Sequence, residues 1–356
     1  MKRVLLIHGG LIPHYRVPIY EYLSTYLGRH DIDFLVTSHG IQSDNPHPVA
    51  FAYKNMCLSA VSISRTVATE HIDGVIMFGN LRHLYIFPTY ALVKGLLRRK
   101  MIWWGQGRDL ADRDAPLKNL AYATEHALCD SIILYAEHLK VYVAQRFHKK
   151  VFVANNTLYC AHTRPHHAAR EEVLARYGIT TRRNIISIGR LQSRKRLDRL
   201  INAVRHMKRP DIGLILVGPD LDRVTDTIAE PNIYTLGPLY GEEKFDLLSA
   251  ADVCCIPGAV GLSIVDAFQC GLPFVTEDGD ESAEMMYLKN GENGFVVPNR
   301  DVEAMAMKLM LLLDDDGLRT RFSRAARQEI ATNGHIDRLC EGFVAAIRHA
   351  FDCSSG

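Results

Sequence analysis

Three short segments carry residue types that could hold a doubly charged phosphate group. In Gly189-Arg190-Leu191-Gln192-Ser193-Arg194-Lys195-Arg196 four cations crowd where an apolar run gives way to a helical pattern. The start of a helix carries partial positive charge, so cations there are unfavourable unless an anion sits among them. A diphosphate would supply it, with Arg190 offering a planar fork of donors and Lys195 a point charge. A solvated basic turn is the plainer alternative. In Pro257-Gly258-Ala259-Val260-Gly261-Leu262-Ser263-Ile264-Val265-Asp266 a second apolar run passes through two glycines into a helix. The N–H groups of Gly261, Leu262 and Ser263 could cap a phosphate there. Asp266, one turn further, could accept from ribose hydroxyls, although an acidic first turn is also ordinary helix chemistry. The third segment is His8-Gly9-Gly10-Leu11-Ile12-Pro13-His14-Tyr15-Arg16, whose paired glycines permit close backbone approach to a ligand. It lacks the GxGxxG spacing, so nicotinamide-dinucleotide binding has little support. His14, Tyr15 and Arg16 are read either as ligand-facing or as a solvated first turn.

The elements that must position these loops alternate in type. Val4–Ile7, Ile32–Val36, Val75–Phe78, Met101–Trp104, Ile132–Tyr135 and Val151–Ala154 read as buried strands. Between them, Tyr15–Leu27, His83–Leu97, Pro116–Leu128 and Glu137–Arg146 show apolar residues at i, i+3 and i+4 and read as helices. The pattern then restarts. Ile185–Ile188, Gly213–Val217, Ile233–Leu236, Val253–Ile256 and Phe274–Thr276 are strand candidates. Leu197–Met207, Glu242–Ala250, Ser263–Cys270, Glu281–Leu288 and Val302–Leu313 are the intervening helices, and His335–Phe351 is a last one. Apolar runs without alternation, separated by helices, imply parallel sheets covered on both faces. In such sheets ligands bind beyond the carboxyl ends of the strands, where the three loops lie. The expected organisation is two doubly wound α/β domains, 1–158 and 159–334, with a polar linker at Thr157–Arg170 and a closing helix in 335–356.

The 356 residues are enough for two cores, and 47% hydrophobic with 23% charged residues excludes a disordered chain. A net charge of +2 excludes a protein that coats nucleic acid through bulk charge. That average hides about +6 over residues 1–160 and −4 over the remainder, which leaves room for an anionic partner at the first half. The eight cysteines show no CxxC spacing, and several lie in apolar runs, as a reduced cytoplasmic protein would have them. Met1-Lys-Arg leading straight into Val4–Ile7 and Gly-Gly reads as a strand rather than a secretory leader, and no apolar stretch approaches a membrane span. Lys94-Gly95-Leu96-Leu97-Arg98-Arg99-Lys100 suits either an anionic lipid surface or a helix end dressed with cations.

Taken together, Gly189-Arg190-Leu191…Lys195, Leu216-Val217-Gly218-Pro219, Leu236-Gly237-Pro238-Leu239, the 257–273 segment and Asn290-Gly-Glu-Asn-Gly-Phe-Val-Val-Pro298 resemble the retaining glycosyltransferases of the GT-B fold, family four. These blocks cover about 185–300 and are specific as a set. The first half is similar more loosely, through its Gly-Gly loop, Tyr15-Arg16-Val17-Pro18-Ile19-Tyr20 and Asn155-Asn156-Thr157. The resemblance implies two facing Rossmann-like domains, a C-terminal helix crossing back to the first, a nucleotide-diphosphate sugar held mainly by the second domain and an acceptor held by the first. It implies Arg190 and Lys195 on the donor diphosphate, Gly261, Leu262 and Ser263 at its phosphate turn, Asp266 on ribose, Leu239 near the nucleobase and Gly10 near the diphosphate. No metal or other cofactor is expected.

Two departures stand out. The first glutamate of the family's Glu-x7-Glu motif would fall at Gly258, which has no side chain to touch the sugar. A histidine that many members place after the fourth strand is absent from Trp103-Trp104-Gly105-Gln106-Gly107-Arg108, where Gln106 can replace its hydrogen bond but not its charge. Arg190, Lys195 and Gln106 are therefore the catalytic candidates. In retaining transfer the leaving diphosphate must be stabilised, which cations and N–H groups can do without a metal. Asp220-Leu221-Asp222 has metal-binding spacing but reads as a helix cap, and Cys160, His162, His166 and His167 are too irregular for zinc. Glu277-Asp278 and Asp280-Glu281 read as a solvated turn, and Trp103 and Trp104 as core, cleft wall or an acceptor-stacking pair. The expected reaction passes a sugar from a UDP- or GDP-type donor to a glycan or lipid-linked acceptor in bacterial surface polysaccharide assembly, in the cytoplasm or at the inner face of the plasma membrane. An epimerase of the same fold and a non-catalytic sugar-nucleotide-binding subunit are the alternatives.

Overall fold

The computed structural model describes residues 1–352 except 44, 80, 82, 111–114, 160–168, 227 and 280–281. Cys160, His162, His166, His167, Asp280 and Glu281 thus lie outside the described residues. The chain divides into two compact units, Met1–Tyr159 with His335–Gly356, and Cys160–Gly334.

The first unit is built on β1 (Lys2–Ile7), β2 (Leu11–Ile12), β3 (Ile32–Ser38), β4 (Gly40–Ile41), β5 (Tyr53–Asn55), β6 (Gly74–Phe78), β7 (Lys100–Gly105), β8 (Ser131–Leu134) and β9 (Val151–Val153). Seven of these form one sheet in the order β5-β3-β1-β6-β7-β8-β9, parallel throughout, and β2 pairs with β4 apart from it. The reversal of strand order at β1 makes the sheet doubly wound. Val4, Leu5 and Leu6 are fully buried, as a central parallel strand covered on both faces requires. Its helices are α1 (Arg16–Gly28), α2 (Ala60–Thr69), α3 (Ile86–Thr89) and α4 (Pro116–Leu128).

The second unit begins with α5 (Arg170–Arg176) and carries β10 (Arg183–Ile188), β11 (Ile212–Val217), β12 (Ile233–Thr235), β13 (Val253–Cys255), β14 (Phe274–Glu277) and β15 (Gly294–Val297). They pair in parallel in the order β12-β11-β10-β13-β14-β15. Around them lie α6 (Leu197–Met207), α7 (Gly241–Ala250), α8 (Ser263–Cys270), α9 (Val302–Asp314) and α10 (Asp316–Thr332). In α6, Leu197, Leu200, Ile201, Val204 and Met207 recur on one face and are buried against Leu214, Val253 and Leu309. Asp301 and Asp315 cap α9 and α10 by accepting the N–H groups of Ala304 and Leu318.

The last helix, α11 (Ile336–Asp352), packs on β7, β8, β9 and α1 of the first unit. Phe343 meets the Trp104 ring at 5.1 Å, and the Tyr22 hydroxyl donates to Asp337 at 2.6 Å.

Three expected helices differ. Across 83–97 a four-residue α3 runs into a π-helical stretch at Tyr90–Leu96. Pro88 has no N–H to donate and Gly95 loosens the far end. Glu137–Arg146 breaks into 3-10 turns at Glu137–Tyr142 and Gln145–Lys150, because Val141 and the extended Val143 favour strand dihedrals. Glu281–Leu288 gives only a 3-10 turn at Ala283–Tyr287.

Candidate functional site

The loops after β10 and β13 meet in the second unit. The amides of Gly258 and Ala259 donate to the carbonyls of Lys195 and Arg194 at 2.9 and 3.0 Å, zipping the 193–195 turn to the 257–260 loop. Lys195 is buried, and its ammonium donates to the carbonyls of Ala259 at 3.2 Å and Val260 at 3.5 Å. The Ser263 hydroxyl donates to Ile188 O at 2.9 Å, fixing the start of α8 against the end of β10. A Cβ on Gly189 would lie 3.0 Å from Ser263 Oγ and 3.5 Å from Lys195 Nζ, so these three groups share one small volume.

At the adjoining start of α8 the N–H groups of Gly261, Leu262 and Ser263 have no acceptor among the described residues. Such groups are the usual orphans of a helix start and the natural seat of an anion. Arg190 is exposed and has no carboxylate partner among the described residues. The arrangement thus offers an anion one tethered ammonium and three backbone donors, with Arg190 exposed at the end of β10.

The other expected cations are already engaged. Glu277, fully buried at the end of β14, accepts from Arg196 at 3.1 Å and also from Arg199. Both guanidinium groups reach Asn299 Oδ1 as well. Glu277 is therefore not part of a solvated turn; it is the internal counter-ion that lets Arg196 stand near a helix start. Only part of the basic cluster needs an external anion.

Asp266 is buried and receives the Lys244 ammonium at 2.8 Å. Leu239 is half-buried beyond β12. Asp220 accepts from Val224 N, Thr225 N and Thr225 Oγ1, and Asp222 from Ser193 N and Oγ. They brace loops, and no helix lies between Asp220 and β12 among the described residues, so the expected helix cap is corrected to a turn.

In the first unit, His14 and Tyr15 are half-buried. Arg16 is buried rather than solvated. It donates to Asn156 Oδ1 at 3.1 Å, and its guanidinium carbon stands 5.1 Å from the centre of the Trp104 ring. Trp103 and Trp104 are core residues, at 0% and 1% exposure, which removes the acceptor-stacking alternative. Gln106 follows β7, half-buried, with no hydrogen-bond partner among the described residues. Gly10 keeps open space where a Cβ would stand. The basic run 94–100 is largely neutralised, Lys94 and Lys100 pairing with Asp130 at 2.9 and 3.8 Å and Arg99 with Asp73 at 3.9 Å. No helix among the described residues is long and apolar enough to cross a membrane.

The sequence reading missed His8, Lys244, Arg199 and the part played by Glu277. The His8 Nδ1 lies 2.8 Å from the Tyr20 hydroxyl, and burial first, then Arg16, lowers its pKa to about 4. A charged residue ending an apolar strand, as Glu277 does, was the available signal.

Comparison with known proteins bears on the zipped loops. Residues 169–329 match the family model of the glycosyl transferases group 1. That segment contains Lys195, Ser263, Asp266 and Glu277. The chain is similar to the alpha-D-kanosaminyltransferase of Streptomyces kanamyceticus, 25% identical over 194 residues, 51% of this chain and 49% of that protein. It spans about half or less of the length of the curated relatives it matches. Among solved structures, a glycosyltransferase of Rickettsia africae superposes with a TM-score of 0.80 at 15% identity, covering 99% of both chains. HepE of Anabaena, solved with UDP, gives 0.78 at 14%, covering 98% of this chain and 100% of that one. The fold is GT-B.

Proposed function

We propose that this chain is a retaining, metal-independent glycosyltransferase. It moves a sugar from a nucleotide-diphosphate donor of UDP or GDP type to a glycan or lipid-linked saccharide, in the assembly of a bacterial surface polysaccharide. The observation that carries the reading is the clustering of Lys195 Nζ, Gly189, Ser263 and the open N–H groups of 261–263 at the carboxyl edge of a parallel sheet.

In this reading the donor diphosphate rests on the start of α8. Arg190 and Lys195 neutralise the charge that grows on the leaving phosphate as the anomeric bond breaks, and the fixed N–H groups hold its oxygens. The rigid tether of Lys195 to two carbonyls means that its charge is in place before substrate arrives. Asp266 accepts from the ribose, Leu239 lies along the base, and Gln106 donates near the transferred sugar. His14 and Tyr15 face the acceptor, with Arg16 holding them from inside the first unit.

The decisive experiment is calorimetric titration with UDP- and GDP-sugars, comparing the wild type with Arg190→Gln and Lys195→Met. Charge-assisted hydrogen bonds contribute about 1.5–3 kcal/mol, so either substitution should weaken binding by roughly 10- to 100-fold. Unchanged affinity in both would sink the phosphate assignment. A Cβ on Gly258 would meet the Arg194 carbonyl oxygen, and the absence of a side chain there favours one second reading, a subunit that binds sugar nucleotide without turning it over. Acceptor-dependent release of nucleoside diphosphate distinguishes the two.

A further inference from the structure

The first unit holds a cavity of about 250 Å3 that takes no part in the chemistry above. One wall is Arg108, just beyond β7, and another is the turn region after β8, with Tyr142 and Phe147. The third is a single face of α4, presenting Tyr122 and His126 one turn apart. The cavity thus lies between α4, the loop after β7 and the turns that join β8 to β9. Gly107 makes the arrangement possible: a Cβ there would lie 3.0 Å from Tyr142 Cβ.

Two of the polar groups on these walls lack partners. His126 is only 2% exposed, yet its Nε2 has no hydrogen-bond partner among the described residues. The Arg108 guanidinium sits 4.0 Å over the Tyr142 ring, and its buried Nε also lacks a partner among the described residues. Buried polar groups in a folded protein are almost always satisfied, so two such groups on one cavity point to a missing occupant.

The walls also define that occupant. No Asp or Glu lines the cavity among the described residues. Arg146 and Lys150 flank it, 4.7 and 4.9 Å from the Phe147 ring, so the local field favours an anion. The neighbouring Glu125 is turned the other way, accepting the Trp103 indole N–H at 2.6 Å in the core. The side chains of Tyr122, Tyr142 and Phe147 add apolar wall of the kind that suits the C–H groups of a sugar ring.

We propose that this cavity is a subsite for a monosaccharide-sized ring bearing a carboxylate or phosphate, with the anionic group on Arg108 and His126. Its role as an acceptor subsite rests on the transferase reading above; the binding itself does not.

The test titrates the full chain with glucuronic acid, glucose 6-phosphate, glucose and inorganic phosphate, in the wild type and in Arg108→Gln and His126→Phe. The expected result is that at least one charged sugar binds tenfold or more tightly than glucose and inorganic phosphate. Each substitution should reduce that binding at least tenfold while leaving UDP- and GDP-sugar affinity and a single cooperative melting transition in place. Glucuronic acid and glucose 6-phosphate separate a carboxylate from a phosphate ligand. Equal binding of glucose, binding of neither charged sugar, or indifference to Arg108→Gln, a partly exposed site that folding tolerates, would overturn the proposal. Absence of sugar-nucleotide binding in the same wild-type titrations would count against the transferase reading alone.

Discussion

A Cβ on Gly258 would stand 2.2 Å from the carbonyl oxygen of Arg194. The backbone of the 193–195 turn thus occupies the space in which a side chain at 258 would begin. No side chain can stand at 258 unless these two loops move apart. Gly258→Glu is therefore expected to cost stability without improving turnover. Overpacking of this kind costs about 1–3 kcal/mol even for small side chains, so Gly258→Ala should already lower the melting temperature by several degrees. A melting curve that does not move in either variant would show that the turn can slide away.

The buried Glu277 carboxylate with Arg196 and Arg199 makes a second demand on the same region. Removing one partner of a buried ion pair leaves an uncompensated charge and costs about 3–5 kcal/mol. Glu277→Gln should lose stability on that scale in urea unfolding, since two guanidinium groups are stranded beside the start of α6. Arg199→Met alone should cost less, because Arg196 continues to pair with the carboxylate.

The strands were legible because fully buried parallel strands read as unbroken Val/Ile/Leu runs: β1, β3, β6, β10 and β11 all contain the expected cores. β5 was not, since Tyr-Lys-Asn at a sheet edge has no apolar run to show. α10, with many polar residues and few buried ones, lacked the stripe that marks α6. In the site, Gly189, Gly261 and Ser263 stood out because a strand-to-helix turn calls for such residues locally, and Lys195 because a cation there runs against the helix dipole. The Glu277–Arg196–Arg199 network, the tether of Lys195 to Ala259 and the burial of Arg16 were not. They join residues about 64 to 140 positions apart, and no local pattern encodes such pairings.

Asp266, paired with Lys244, lets the proposed ribose contact be tested apart from phosphate binding. If Asp266 accepts from a ribose, Asp266→Asn should weaken UDP binding by about tenfold, the worth of one charge-assisted hydrogen bond. Inorganic pyrophosphate, which has no ribose, should bind that variant about as well as the wild type. Competitive displacement of a fluorescent nucleotide by both ligands measures the ratio. An equal loss for both ligands would place Asp266 at the phosphates or in the fold alone.

Glu125 and His126 are adjacent, both almost fully buried, and opposite in their pH behaviour. Burial raises the Glu125 pKa to about 7 against the opposing hydrogen bond from Trp103, and burial, assisted by Lys150, lowers that of His126 to about 4. Between its unfolded value of 4.5 and 7, native Glu125 holds its proton more firmly than the unfolded chain does. Its contribution to stability is full below pH 4.5 and is lost as pH rises through 7. His126 works the other way: from pH 4 to 6.5 the unfolded chain binds the extra proton, so stability rises with pH and levels off above 6.5. Each shift corresponds to roughly 3 kcal/mol, and over pH 4.5–6.5 the two slopes largely cancel. Glu125→Gln should therefore expose the histidine limb, with the melting temperature climbing between pH 4 and 6.5. His126→Phe should expose the glutamate limb, with the melting temperature falling between pH 4.5 and 7. Melting curves over pH 4–8 on the two variants check both signs, and parallel profiles in the two would refute the opposition.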